Sequence, residues 1–243
     1  MDIEKKDTDS VERDNQTLIE FWDKAFAAAA EEEAGEDHGE EPGTDVRKEL
    51  APSEKLCAAA VSLGEKKKVL DYGCGSGWAA VIAAKSGCTD VTAADAAPGA
   101  VKAAALCAEA FGVEDRVRCT RVTPDWLSKV PAGTYDGIIC SNVLDVIPPE
   151  TAEAVIRELA RIAAPDASVF IGLNYYLPPE AAAGGMEFVG GNRLYVDGVL
   201  RLVSRSDEEW ARIFAPYFAV EALDHFAWPG EAKETRRLFR LRR

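Results

Sequence analysis

The sequence has few of the residues that build metal centres, disulfide frameworks or nucleic-acid-binding surfaces. It contains two histidines, and no two of its six cysteines form a C-x-x-C pair, so reduced thiols are expected rather than disulfides or a zinc site. Lysine and arginine number 28 against 42 aspartates and glutamates, a net charge of −14. Because proteins bind nucleic acids largely through basic side chains that contact phosphates, a DNA or RNA partner is disfavoured.

Long apolar runs are also missing. No stretch of 18 apolar residues occurs, and the amino-terminal residues MDIEKKDTDSVERDNQ lack the apolar segment of a secretory signal. These features are typical of a cytoplasmic protein with no membrane contact. The length of 243 residues is enough for one full core and short for two.

The chain is expected to divide near residue 50. Leu18, Ile19, Trp22 and Phe26 lie on one face of a helix predicted over residues 1–30. An acidic, glycine-containing stretch follows and has almost no large apolar side chain, which is typical of a flexible linker. We therefore assign residues 1–49 to a helix with its acidic linker and residues 50–243 to the main domain.

The main domain begins with short apolar runs that alternate with helical stretches. The runs are KKVLDY, DVTAAD, RVRCTRV, YDGIICSN and SVFIGLNYY, and the helices are predicted around 51–63, 77–86, 98–111 and 149–164. This alternation predicts an α/β fold with a doubly wound, mostly parallel, seven-stranded sheet. Pro98 and Pro149 suit the first turns of their helices.

The last third of the chain has a different pattern. NRLYVDGVLRLVSR alternates about Asp197-Gly198 and predicts a β-hairpin within an insertion at 178–205. A helix with capping-box spacing between Ser206 and Glu209 should follow, and then two antiparallel strands that end the sheet. The insertion is expected to cover a ligand pocket as a lid, or to mediate a homodimer.

A glycine loop, residues 73–77, carries the functional argument. An apolar strand leads into Asp71, Gly73, Gly75 and Gly77, and a helix then begins. Glycine permits the tight turn and lets a ligand approach the bare backbone. Asp95 ends the next strand, 18 residues after Gly77, where a carboxylate can accept both ribose hydroxyls of a nucleoside. Together these features predict an adenosine-binding site.

Over roughly residues 50–175 this arrangement resembles the class I S-adenosylmethionine-dependent methyltransferases, a Rossmann-like family whose first motif is D/E-x-G-x-G-x-G. The resemblance implies that Asp71 and the three glycines surround the methionine part of S-adenosylmethionine, with Asp95 on the ribose. It implies Asp125 for the adenine amino group and Trp126 for stacking. YDGIICSNVLDVIPPE resembles the fourth motif, which implies Ser141 and Asn142 near the sulfonium.

The chain departs from the family at the position of a general base. Many members that act on small molecules carry histidine where this sequence has Asp145 and Val146, and Tyr72 replaces a commoner aliphatic residue. The weak candidates for a base are Tyr72, Asp145, Tyr175 and His225. The N-P-P-Y signature of base amino-group methylation is absent, which agrees with the acidic charge. The resemblance therefore implies methyl transfer, and the acidic charge and the lid expected at 178–205 favour a small-molecule acceptor.

Two other functions fit parts of the sequence. Gly75, Gly77 and Ala80 match the G-x-G-x-x-A pattern of an NAD(P)-dependent oxidoreductase, although Asp71 has no role in that fingerprint. A non-catalytic S-adenosylmethionine-binding or interaction module would keep the same fold, since methyl transfer needs no diagnostic acid-base residue.

Overall fold

The structure is a computed structural model and describes residues 2–33, 47 and 50–243. Its helices in this part of the chain are α1 (Asp2–Glu33), α2 (Glu54–Ser62), α3 (Trp78–Lys85), α4 (Pro98–Ala110), α5 (Trp126–Lys129), α6 (Pro149–Ile162) and α7 (Asp207–Phe214). The strands are β1 (Val69–Tyr72), β2 (Val91–Asp95), β3 (Val117–Arg121), β4 (Tyr135–Ser141), β5 (Ala163–Leu173), β6 (Met186–Val189), β7 (Arg193–Val196), β8 (Val199–Val203), β9 (Ala219–Phe226) and β10 (Arg236–Arg242).

A seven-stranded sheet in the order β3-β2-β1-β4-β5-β10-β9 organises the main domain. The first five strands of this order, from β3 through β2, β1 and β4 to β5, pair in parallel with their neighbours. Strand β10 pairs antiparallel with both β5 and β9. The predicted doubly wound sheet with an antiparallel carboxyl-terminal strand is therefore confirmed. From β1 the chain continues to β2 and β3 on one side of the sheet, and it then crosses back to β4 on the other side of β1. The carboxyl ends of β1 and β4 therefore form the topological switch point.

Apolar layers cover the two faces of the sheet. Alternate strand residues point to opposite faces, so Ile138 packs with α6 and α7 while Ile139 packs with α2, α3 and α4. Proline occupies the first turn of both α4 and α6, as predicted. The Ser206–Glu209 capping box at the start of α7 is also present.

The insertion is a small antiparallel sheet in the order β6-β7-β8. Asp197 and Gly198 turn the β7–β8 hairpin with φ angles of 51° and 76°, which confirms the predicted turn. Strand β6 was not predicted, because MEFV is short and is flanked by glycines that favour a loop. Leu18 of α1 packs on this sheet against Leu200 and Val203, so α1 lies along the insertion.

The sequence also predicted the structure of the amino-terminal segment and the state of the cysteines. The predicted amino-terminal helix is present and reaches Glu33, while the predicted acidic linker falls largely outside the described residues. None of the six cysteines is in a disulfide, and four of them are buried. Within the described ranges no helix is long and apolar enough to cross a membrane.

Candidate active site

The glycine loop joins β1 to α3 at the switch point. Gly73, Gly75 and Gly77 have φ angles of 71°, 52° and 82°. This left-handed region costs a residue with a side chain roughly 1–2 kcal/mol. The N–H groups of Gly73 and Cys74 donate to the carbonyl of Ala94 at 2.7 and 3.1 Å, which ties the loop to the end of β2.

Two of the glycines are also required by their neighbours in the fold. A Cβ atom on Gly77 would lie 2.8 Å from the Cβ of Ala104 on α4, and one on Gly73 would lie 2.1 Å from a methyl carbon of Val143. These glycines therefore let α4 and the segment after β4 approach the loop. Their packing brings the carboxyl ends of β1, β2 and β4 together around one surface.

Asp95 joins the glycine loop to the start of α4. Its Oδ2 accepts a hydrogen bond from the N–H of Gly75 at 3.0 Å, and its Oδ1 accepts one from the N–H of Ala97 at 2.9 Å. Burial raises the pKa of this carboxyl, and the backbone donors oppose that shift. Since a carboxylate has about four lone-pair sites, two remain for the hydroxyls of a bound ligand.

Asp71 lies behind the loop, inside the domain. Its side chain is 3% exposed, and its Oδ2 accepts a hydrogen bond from the N–H of Ala80 on α3 at 3.1 Å. Burial raises the pKa of Asp71 to about 7, with a further contribution from the charge of Asp95. Asp71 therefore anchors α3 to β1 and would influence a ligand through its field rather than by contact.

The segment after β3 reaches the same edge of the sheet. The N–H of Val122 donates to the carbonyl of Asp95 at 2.8 Å, so the chain that leads to Asp125 and Trp126 starts beside the end of β2. Asp125 is exposed, and a hydrogen bond from Lys129 lowers its pKa. Trp126 packs partly on the core.

Ser141 and Asn142 lie at the carboxyl end of β4. Asn142 has a φ of 57°, which turns its side chain across to β5. Its Nδ2 donates to Oδ1 of Asn174 at 2.8 Å, while Ser141 Oγ donates to Oδ1 of Asn142 at 3.1 Å. Asn174 was missed at the level of sequence, although it directly follows a predicted strand of the sheet.

Ser141, Asn142 and Asn174 form a polar cluster, and Arg236 of β10 adds a cation to it. Arg236 Nη1 donates to Oδ1 of Asn174 at 2.5 Å, and its Nε and Nη2 donate to the carboxylate of Glu231. Its guanidinium carbon lies 3.4 Å from the centre of the Trp228 ring. From the sequence alone, the arginines near the end of the chain are interpreted as a solvated face on an end strand: Arg236, Arg237, Arg240, Arg242 and Arg243. In the structure, however, Arg236 is 6% exposed and Arg237 is 1% exposed. That interpretation is wrong for these two residues.

Asp145, a candidate base, is fully buried beneath the β4 and β5 ends. Its Oδ2 accepts a hydrogen bond from the N–H of Asn174 at 2.6 Å, and its carbonyl accepts one from Val203 of β8. Its Oδ1 has no hydrogen-bond partner among the described residues. Burial raises the pKa of Asp145 to about 6, while the hydrogen bond from Asn174 and the charge of Arg237 oppose the shift.

The other candidate bases lie in different surroundings. Tyr72 is buried at the end of β1, and burial raises its pKa above the usual value. The centre of the Tyr175 ring lies 5.9 Å from the guanidinium carbon of Arg236, at the edge of the polar cluster. His225 lies on the edge strand β9, where its Nε2 is 3.0 Å from Asp207.

Helix α1 adds two residues to the switch point that the sequence did not assign there. A Cβ on Gly75 would lie 2.9 Å from the Phe26 ring, so this ring covers the middle of the glycine loop. Asp23 accepts a hydrogen bond from the N–H of Gly99, in the first turn of α4, at 2.5 Å. The apolar spacing of α1 predicted a covering helix but could not indicate which surface it covers.

Comparison with known proteins agrees with this geometry. Residues 69–166 match a protein family described as a methyltransferase domain. Over 212 residues the chain is 27% identical to the ubiquinone biosynthesis O-methyltransferase of Psychrobacter cryohalolentis, covering 86% of this chain and 77% of that protein. A shorter match, 37% over 114 residues, links it to the ribosomal protein L11 methyltransferase of Dechloromonas aromatica and covers 45% of this chain and 36% of that protein.

A solved structure shares the fold. The 1,6-didemethyltoxoflavin-N1-methyltransferase of Burkholderia thailandensis, crystallised with 1,6-didemethyltoxoflavin and S-adenosylhomocysteine, superposes with a TM-score of 0.60. The two proteins are 20% identical, and the match covers 82% of this chain and 81% of that one.

Proposed function

We propose that this chain is a class I S-adenosylmethionine-dependent methyltransferase and that the acceptor of its methyl group is a small molecule. The match that extends over most of the chain is to an enzyme named for ubiquinone biosynthesis, whereas the match to an enzyme named for a ribosomal protein covers less than half of it. Acceptor specificity depends on the segments outside the cofactor half. The longer match therefore says more about the acceptor, and the charge of −14 argues against nucleic acid.

The residues at the switch point fit the chemistry of S-adenosylmethionine. Asp95 offers free lone pairs to the two ribose hydroxyls, and the glycine loop offers bare backbone to the methionine part. Asp125 and Trp126, just beyond β3, would take the adenine, while Ser141 and Asn142 would lie near the sulfonium. The observation that carries this assignment is the hydrogen bond from the Gly75 N–H to Asp95, which joins the glycine loop to the acid at the end of β2.

The protein contributes mainly alignment to the reaction. S-adenosylmethionine supplies a methyl group that is already activated by its positive sulfur. Orientation of an acceptor against such a group can lower the barrier by roughly 7–11 kcal/mol. In our proposal Asn142, fixed by Asn174, and Tyr175 orient the acceptor at the carboxyl ends of β4 and β5.

In the proposed reaction none of the candidate bases abstracts a proton. Asp145 is buried and uses its carboxylate to hold Asn174, and His225 pairs with Asp207 on the edge strand. Burial also raises the pKa of Tyr72, which opposes its ionisation. An acceptor with a lone pair available at neutral pH, such as an aromatic nitrogen or a hydroxyl acidic enough to ionise at that pH, suits this site.

We further propose the domain division given by the sequence. Residues 1–49 would contribute the covering helix and an acidic linker, and residues 50–243 the Rossmann-like domain, with the 178–205 insertion on the acceptor side. A homodimer through the insertion stays a prediction. Light scattering on a variant that lacks residues 186–203 would test it, because the prediction requires the variant to be a monomer and the unaltered protein to be a dimer.

The first test is a thermal-shift titration against S-adenosylmethionine, S-adenosylhomocysteine, NAD and NADP. A ligand at 100 times its dissociation constant stabilises the folded state by about 2.7 kcal/mol. Stabilisation by the first two compounds alone is expected. A screen of small molecules, intact proteins and nucleic acids with methyl-labelled donor then tests the acceptor class, and label found only on proteins would contradict the proposal.

A further inference from the structure

The carboxyl-terminal half of α1 lies on the surface that we assign to the cofactor. Phe26 places its ring against the bare backbone of Gly75, within 2.9 Å of the position a Cβ would take there. Gly75 is also the residue whose N–H donates to Asp95, so the ring lies beside the proposed ribose site. A ligand that approaches the backbone of Gly75 from this side must displace the ring.

A hydrogen bond and close helix packing hold this half of α1 against α4 of the Rossmann-like domain. Oδ1 of Asp23 accepts from the N–H of Gly99 at 2.5 Å, where the positive end of the α4 helix dipole favours a carboxylate. A Cβ on Gly99 would lie 2.6 Å from the backbone carbonyl of Asp23, so glycine at this position lets the two helices touch. We call the Asp23–Gly99 hydrogen bond the latch.

The preceding turns of α1 contact the insertion and also α6 of the main domain. Leu18 is buried against Leu200 and Val203, and the Tyr195 hydroxyl donates to Asp14 at 2.7 Å. The guanidinium carbon of Arg201 lies 4.2 Å from the centre of the Phe21 ring. Helix α1 is therefore anchored by apolar packing on the insertion and, on the cofactor side, by the latch, by its packing on α4 and by the Phe26 ring.

We propose that the Asp23–Phe26 segment of α1 is a gate for the cofactor. In the closed position Phe26 occupies the surface of Gly75 and the latch holds it there. Release of the latch lets this end of α1 lift while Leu18 keeps the helix on the insertion. The inference rests on the proposed cofactor site, and it makes cofactor binding compete with the closure of α1.

The test compares Phe26→Ala and Asp23→Ala with the unaltered protein. Lys24→Ala is the matched control, since Lys24 is an exposed residue of the same helical turn. S-adenosylhomocysteine binding is followed by stopped-flow tryptophan fluorescence and by calorimetry, and circular dichroism verifies that each variant is folded. No acceptor is needed for these measurements.

Both gate variants should bind S-adenosylhomocysteine faster, with a dissociation constant about three- to tenfold lower. This follows because the apparent dissociation constant of a partly closed site is the intrinsic value divided by the open fraction. The control should match the unaltered protein. Unchanged or weaker binding by Phe26→Ala overturns the gate and leaves the proposed function standing, whereas no binding by any of the proteins overturns both.

Discussion

The N–H of Gly75 and the carboxylate of Asp95 meet at 3.0 Å, although the two residues are 20 positions apart in the chain. Asp95 also holds the first turn of α4 through the N–H of Ala97. One side chain thus connects β2, the glycine loop and α4. A change at Asp95 should affect the ligand site both by removing a binding group and by loosening the loop.

We expect Asp95→Ala to weaken the binding of S-adenosylhomocysteine by roughly ten- to 100-fold. A hydrogen bond to a charged group contributes about 1.5–3 kcal/mol, and two ribose hydroxyls lose their acceptor. Calorimetric titration measures the effect. Asp115→Ala, at an exposed carboxylate away from the switch point, provides the control, and equal affinities for both variants would remove Asp95 from the site.

The buried carboxyl of Asp71 should make stability depend on pH in a defined direction. Its pKa is raised from 3.8 to about 7, so the folded protein binds this proton more tightly than the unfolded chain does. Its contribution to the free energy of unfolding is therefore largest below the unfolded pKa and falls as the pH rises through the interval to about 7.

Asp71→Asn should consequently flatten this dependence. Urea unfolding at several pH values between about 4 and 7 should show a smaller decline for the variant than for the unaltered protein. Asp115→Asn controls for the loss of one negative charge. Parallel curves for the unaltered protein and Asp71→Asn would show that Asp71 ionises normally in the folded state.

Gly77→Ala and Gly112→Ala separate backbone strain from steric overlap. Both glycines have a positive φ, of 82° and 61°, but only Gly77 faces a close neighbour, Ala104 at 2.8 Å. Among the described residues nothing lies within 4 Å of the Cβ position at Gly112. The free energy of unfolding should fall by about 1–3 kcal/mol more for Gly77→Ala, which chemical denaturation would detect.

Asn174→Ala should reduce methyl transfer more than cofactor binding. The substitution removes the oxygen that accepts hydrogen bonds from both Nδ2 of Asn142 and Nη1 of Arg236, so the methyl-acceptor side loses its alignment. With an acceptor from the screen, we expect kcat to fall by roughly tenfold or more while the affinity for S-adenosylhomocysteine changes little. Comparable losses in both quantities would place Asn174 in the cofactor site instead.

The cofactor half was predictable because its signals are local. Gly73, Gly75 and Gly77 lie within five residues, directly after the apolar strand that they terminate, and Asp95 ends the next strand. Parallel β-α-β connection places the carboxyl ends of neighbouring strands at one edge. The order of elements therefore implied that these residues meet, and the sheet is doubly wound and mostly parallel as predicted.

The acceptor half depends on contacts between distant segments. Asn142, Asn174 and Arg236 come from three strands, and no spacing rule relates an arginine of β10 to an amide after β4. A run of arginines near the end of a chain is usually solvated, yet Arg236 and Arg237 are covered here by Trp228 and by α7. Tertiary packing decides such cases, and a single sequence does not contain it.

The burial of the cysteines has a practical consequence for observing α1. Cys74 and Cys140 are buried, and burial raises the pKa of both thiols, which suppresses the thiolate that reacts with alkylating reagents. In a variant whose partly exposed Cys107 and Cys119 are replaced by serine, Lys24→Cys should therefore react faster than the remaining, buried native thiols. A fluorophore attached there would report the angle of α1 in solution, so the movement of a single helix can be followed without any substrate.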